Sequence, residues 1–246
     1  MKILQQRIAL GLTLVVGSLL ALPVLAADAT VTPFSASAPG KPPAAWRFVT
    51  LPNKPDTQYG VVDLDGKRVL KVEAVKSYGN LIHELHVTPT EKATVKWRWR
   101  VEKLVEGADL TAKSGDDTAA KLCLSFGFPS DKLSFGERAK LGLARTALGE
   151  DIPTQTLCYM WDNKIAAGTT MVNAFSRRIR MMVLQSGPDK LGQWVNERRN
   201  ITADYKKAFG DESDSVPEIT AIIIGADADN TGGASLAYFE DAELAP

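Results

Sequence analysis

The chain has 246 residues, with 29 Lys and Arg balanced by 29 Asp and Glu, for a formal net charge of zero. That balance excludes the basic excess of a nucleic-acid binder, and the length suits one large β domain or two small ones. Two histidines and two cysteines leave little material for a nitrogen- and sulfur-ligated metal centre.

Met1 to Ala26 reads as a secretory signal peptide. Lys2 and Arg7 give a positive start, Ile8 to Leu25 is almost unbroken apolar sequence, and Val24, Leu25 and Ala26 supply a cleavage site before Ala27. Pro23 and the polar, proline-rich stretch that follows argue against a retained anchor. Cleavage of 26 residues from 246 leaves 220, with a side-chain balance of −2 after loss of Lys2 and Arg7. The expected location is periplasmic or secreted, with no membrane span in the mature chain. Residues 27–45 are rich in Ala, Ser, Thr and Pro and read as a flexible lead-in. Residues 46–246 read as a single β-sandwich domain.

Beyond the lead-in the dominant period is two. Expected strands are Tyr59–Leu64, Val69–Ala74, Leu81–Val87, Val95–Val101, Lys121–Phe126, Thr156–Trp161, Ile179–Gln185, Trp194–Ile201, Ile219–Gly225 and Leu236–Leu244, with Gly, Asn, Asp or Pro in most gaps. Val95, Trp97, Trp99 and Val101 share one face, while Lys96, Arg98 and Arg100 share the other. Leu122, Leu124, Phe126 and Phe128 likewise fall on one side. Two helices interrupt the pattern. Ser134 to Leu148 carries Phe135, Ala139, Leu143, Ala144 and Leu148 on an amphipathic face, and Thr202 to Phe209 is capped by Thr202 and ended by Gly210. Many short strands without alternating long helices indicate an all-β fold, a β-sandwich or jelly roll.

Cys123 and Cys158 lie in two strand-like runs, and export puts them in an oxidising compartment. A disulfide between neighbouring strands would close a loop of about 35 residues, adding roughly 3–4 kcal/mol. His83 and His86 sit three apart on a strand, so they face opposite ways and do not form a zinc pair. His83 joins Leu81, Leu85 and Val87 on a core face, and His86 joins Glu84 outside.

Candidate ligand-binding residues fall into four groups. Lys96, Arg98 and Arg100 form a cationic row suited to the carboxylates of an acidic polysaccharide, or else a solvated face neutralised by nearby Asp and Glu. Trp97 and Trp99, alternating with them, are expected in the inter-sheet core. Lys113, Asp116 and Asp117 precede one strand. Arg199, Asp204 and Tyr205 bracket the second helix. Asp227 to Gly232 is oxygen-rich but fails as an EF-hand, since the twelfth position is Tyr238 and a strand follows. A different calcium geometry would use Asp227, Asp229 and Asp241; the alternative is turn chemistry. No phosphate loop, nucleophile elbow or HExxH helix occurs. Carboxylates at Asp116, Asp117, Asp204, Asp227 and Asp229 remain as material for glycoside chemistry.

The order of Trp97 to Val101, Lys113 to Asp117, Leu157 to Trp161, Arg199 through Asp204 and Tyr205 to Gly210, and Asp227 to Thr231 resembles the bacterial exported family of domain of unknown function 3047. The resemblance spans about Trp46 to Leu244. Lys121 departs from it, since the family pattern has an arginine after the paired aspartates, and an ammonium does not replace a guanidinium fork. Leu236 to Leu244 and Val69 to Ala74 also resemble strands of galactose-binding-like jelly rolls found in carbohydrate-binding modules. The resemblance implies a jelly roll and, by fold analogy, non-catalytic glycan binding in the cell envelope, with an oligo- or polysaccharide partner and no cofactor other than calcium. The alternatives are a structural or partner-binding envelope protein, and a polysaccharide lyase or hydrolase using the clustered carboxylates.

Overall fold

The computed structural model describes residues 30–148 and 153–246; the signal peptide read at Met1 to Ala26 lies outside them. In chain order the strands are β1 (Trp46–Val49), β2 (Gln58–Leu64), β3 (Lys67–Val75), β4 (Asn80–Val87), β5 (Thr94–Lys103) and β6 (Thr118–Phe126). After helix α1 (Phe135–Leu148) come β7 (Gln155–Asp162), β8 (Thr170–Val172), β9 (Ile179–Ser186) and β10 (Val195–Asn200). Helix α2 (Ile201–Phe209) precedes β11 (Ile219–Asp227), β12 (Ala234–Phe239) and β13 (Glu243–Ala245). One sheet has seven strands in the order β1-β4-β11-β6-β7-β9-β8. The other runs β10-β5-β12-β3-β2, with β13 also pairing β5. The fold is a β-sandwich, antiparallel except where β7 pairs β9.

Alternation builds the core. Trp97 and Trp99 of β5 point inward and meet Tyr159 and Trp161 of β7 at ring distances of 5.3 and 5.8 Å. Leu122, Leu124 and Phe126 of β6 and Ile222 and Ile224 of β11 fill the same layer and are fully buried. Within β4, His83 is buried against Trp46, while Glu84 and His86 are exposed, as the strand period requires.

Several boundaries differ from the sequence reading. The stretch Leu236 to Leu244 is two strands rather than one. Between them Glu240 turns out to bind Lys67 and Arg98, and Asp241 accepts from Ser35. Strands β1 and β8 were not expected. Asn200, not Thr202, caps α2: its side-chain oxygen accepts from the Ala203 amide at 2.7 Å, and the Thr202 hydroxyl donates to the Thr90 carbonyl. The lead-in, expected to be flexible, is docked from residue 30 onward. Phe34 is buried beside Trp46, the Thr32 amide donates to His83, and Gly40 pairs with Val61. Val31 and Phe34 supply the apolar anchors that the polar composition concealed.

Helix α1 departs furthest. Ser134 and Glu137 cap its start reciprocally, yet Phe135 and Leu143 are 81% and 73% exposed. Phe135, Ala139 and Leu143, expected on the packing face, point to solvent.

Two of the sequence-predicted polar groups are internal braces. Asp117 is buried and accepts from the amide and side chain of Asn230 and from the amide and hydroxyl of Thr231, at 2.6 to 3.2 Å. Asp204 accepts two bonds from Arg199, at 2.7 and 2.6 Å, and one from the Tyr159 hydroxyl. The Tyr205 hydroxyl bonds Gln155 within the interior. Removing either carboxylate orphans several donors at once, so Asp117→Ala and Asp204→Ala should each lose about 2–4 kcal/mol in urea unfolding. Near-wild-type stability for both would show that these residues do not brace the fold.

Candidate functional site

The outer face of the seven-stranded sheet carries a cleft of about 750 Å³. Its floor follows from strand register. Asn80 of β4 and Lys121 of β6 flank Gly225 of β11, and Met160 of β7 lies beside Lys121. One step along the strands, Ile82, Ile223, Cys123, Cys158 and Met181 form a second row. Cys123 and Cys158 pair directly across β6 and β7 and are joined as a disulfide. The staple inferred from sequence is therefore also a surface of the cleft.

Glycine at 225 has a steric cause. A β-carbon there would collide with the Asn80 side-chain oxygen and lie 2.6 Å from the Lys121 chain. Its absence lets two polar side chains close over the central strand.

At one end the acidic residues gather. Lys121 donates to Asp227 at 2.7 Å, and the Thr118 amide donates to the same carboxylate. Asp116 accepts from Asn173 at 2.7 Å, and Asp229 pairs with Lys54 at 2.8 Å. Burial pushes the Asp227 carboxyl up to about 6 against the pull of Lys121, with Asp117 and Asp116 adding to the rise. Burial also raises Asp116, opposed by the Asn173 bond. For Lys121 burial acts to lower the ammonium, but Asp227, Tyr78 and Asp116 together outweigh it and hold the group above its ordinary value. Both members of the pair are thus charged at neutral pH.

Two acceptors in this end are unfilled: the Oδ1 atoms of Asn80 and Asp229 have no hydrogen-bond partner, and the Asp229 side chain is only 6% exposed. Buried polar atoms are normally satisfied. Tyr78 lies under Lys121, 5.6 Å from its ammonium, and Phe175 stands at the rim with Lys113 over its ring at 5.4 Å. The far end is roofed by Glu137, Lys140 and Leu141 of α1 and flanked by Arg177 and Arg178. Glu137 binds Arg178 at 3.3 Å.

The sequence-predicted site residues separate accordingly. Asp116, Asp227 and Asp229 converge on the cleft, with Lys113 at its rim. Asp117, Arg199, Asp204 and Tyr205 belong to the braces. Lys96, Arg98 and Arg100 lie on the outer face of the opposite sheet and are neutralised by Glu243, Glu240, and Asp65 with Glu102. That row is a compensated strand face, not part of the cleft. Asp241, bonded to Ser35, lies beyond the far end of β12 from Asp227 and Asp229, so the three residues considered for calcium do not come together. Among the described residues no group of three or more His, Cys, Asp or Glu gathers as a metal site. Asn80, Asn173, Phe175 and Met160 escaped the sequence reading. Lys121 was noticed only as a departure from a pattern, although its alternation with Leu122 already placed it with Cys123 on the opposite face from the core.

Comparison with curated proteins finds no match. Among solved structures, similarity extends to the xyloglucanase domain of NopAA from Sinorhizobium fredii in complex with cellobiose, at 7% identity and TM-score 0.45, covering 81% of this chain and 90% of that one. Endoglucanase 3 from Trichoderma harzianum, of family GH12, matches at 9% identity and TM-score 0.40, covering 85% and 93%. TmCBM61 in complex with β-1,4-galactotriose matches at 12% identity and TM-score 0.33, covering 82% and 88%. At such identities these likenesses concern the fold alone. The sequence match is of another order: residues 44–243 fit the family described as "Protein of unknown function (DUF3047)", and the chain belongs to that family.

Proposed function

We propose that this protein is an exported glycan-binding protein without catalytic activity, holding its ligand in the cleft on the outer face of the seven-stranded sheet. The observation that carries the reading is the convergence of the polar side chains of Asp116, Asn173, Asp229 and Asn230 on one end of the cleft. Sugar hydroxyls are donors, and an acceptor-rich pocket with a few rings at its edge suits them. The exposed Phe175 ring at the rim offers apolar surface for a pyranose. The disulfide fits an oxidising compartment, periplasmic or secreted, and no helix among the described residues is long and apolar enough to cross a membrane.

The direct test is a thermal-shift screen against neutral and acidic oligosaccharides. A ligand at a hundred times its dissociation constant adds about 2.7 kcal/mol. Asp116→Ala should weaken the binding glycan about tenfold, the worth of one bond to a charged acceptor. Arg98→Ala, on the opposite sheet, should leave it unchanged. Absence of any shift across the panel rejects the reading.

Acidity provides a second test. A carboxylate accepts from hydroxyls better than a carboxylic acid does, and Asp227 gains its proton near 6. Affinity should therefore be full at neutral pH and fall as pH drops through about 6, with Asp227→Asn flattening the profile there.

A hydrolase or lyase is the second reading, favoured by the raised carboxyls of Asp227 and Asp116 in one cleft. Release of new reducing or unsaturated ends from a bound oligosaccharide, abolished in Asp116→Asn, would establish it; binding without turnover leaves the non-catalytic reading in place.

A further inference from the structure

The cleft is not uniform, and its division names the kind of glycan it takes. Its acceptors and charges are concentrated where Asp116, Asp227, Asp229, Asn80 and Lys121 meet. From there along the strands and toward β7 and β9 the floor changes character. Cys123, Cys158, Met160 and Met181 pack with Leu110 as an apolar cluster separate from the inter-sheet core, with Ile223 at its margin. The cystine and the two methionines have no strong hydrogen-bonding atom to offer a hydroxyl. A sugar residue laid over them would lose water without replacement, which is unfavourable for a hydroxyl. The same surface favours methylene groups, and thioether and disulfide sulfur adapt to an irregular apolar shape. Leu141 of α1 adds an apolar contact from above, while Phe135 and Leu143 of that helix point away and contribute nothing.

We propose that the ligand is an amphiphilic glycoconjugate: a sugar head bound at the Asp116–Asp229 end, continued by an alkyl or similarly apolar chain lying along the Met160–disulfide–Met181 floor. The inference rests on the glycan reading and extends it by naming the second half of the ligand. The shape and lining of the cleft support that half independently. A cleft of about 750 Å³ falls in the range of sites that enclose most of a small ligand, and beyond the polar end its lining is apolar, with the partly buried Ile179 and Ile223 beside the nearly buried cystine and methionines. The polar side chains of Asp116, Asn173, Asp229 and Asn230, gathered at one end of the cleft, mark the end that receives the hydroxyls.

The experiment uses the purified wild-type protein, the neutral apolar dye N-phenyl-1-naphthylamine, and alkyl β-glucosides and β-galactosides with chains of one, four and eight carbons, all below micelle-forming concentrations. The dye should bind with enhanced fluorescence. Alkyl glycosides should displace it with affinity rising about fourfold per added methylene until the floor is filled. Ile223→Thr, near in shape but polar, should lower dye and long-chain affinity several-fold, whereas Val75→Ser on the opposite sheet should change neither. Failure of the dye to bind, together with glycan affinity independent of chain length, overturns the amphiphile and leaves glycan binding standing. Equal displacement by octanol and by octyl glycosides, with no free glycan giving a shift, overturns the glycan reading while keeping the apolar site. Unchanged dye and chain-length behaviour in Ile223→Thr would move the apolar site off this floor and overturn the inference as stated.

Discussion

The aromatic layer between the sheets is what the remaining structure depends on. Trp97 and Trp99 from one sheet interlock with Tyr159 and Trp161 from the other, and Phe239 closes the group at 6.1 Å from Trp99. Large rigid rings in edge-on and tilted contact fix the separation and rotation of two sheets more tightly than aliphatic packing does. Once the layer is set, strand alternation decides the other face: between the bulges of β11, and along β6 from Lys121 to Phe126, residues next to an inward side chain are presented outward. The cleft is the reverse side of the core.

That relation explains why both a stabilising device and a candidate binding surface occur in the same few residues. Lys121, Cys123 and Ser125 alternate with Leu122, Leu124 and Phe126, which are fully buried inside. The braces at Asp117 and Asp204 belong to the same logic. Asp117 ties the Asn230–Thr231 turn to the start of β6, and thereby fixes where Asp227 and Asp229 stand. Asp204 joins α2 to Arg199 and Tyr159 beneath the aromatic layer. Neither residue touches the cleft, yet both position it.

Much of this was legible in the sequence, for physical reasons that differ by residue. The strict alternation from Val95 to Val101 identified both the buried tryptophans and the exposed cations, because a strand has only two faces. The pairing of Cys123 with Cys158 was legible because only two cysteines exist and each sat in a strand run. What could not be read was strand order. That β11 lies between β4 and β6 depends on contacts remote in sequence, so nothing local told that Asn80, Gly225 and Lys121 would form one row. Asp116 and Asp117 are adjacent in sequence and looked equivalent; in the loop before β6 one faces the cleft and the other is held inside by Asn230 and Thr231, partners more than a hundred residues away. The lead-in misled because its composition is polar on average, while two residues, Val31 and Phe34, decide its fate.

Helix α1 has a kinetic consequence. None of its described side chains is buried, and its contacts with the body include the Glu137–Arg178 ion pair and the Leu141 contact. Such a segment opens at far less free energy than the sandwich it covers. Opening at the α1 end of the cleft is therefore uncoupled from the breathing of the core, and a rigid, doubly braced sandwich carries a loosely tethered helix whose motion leaves the sheets unchanged.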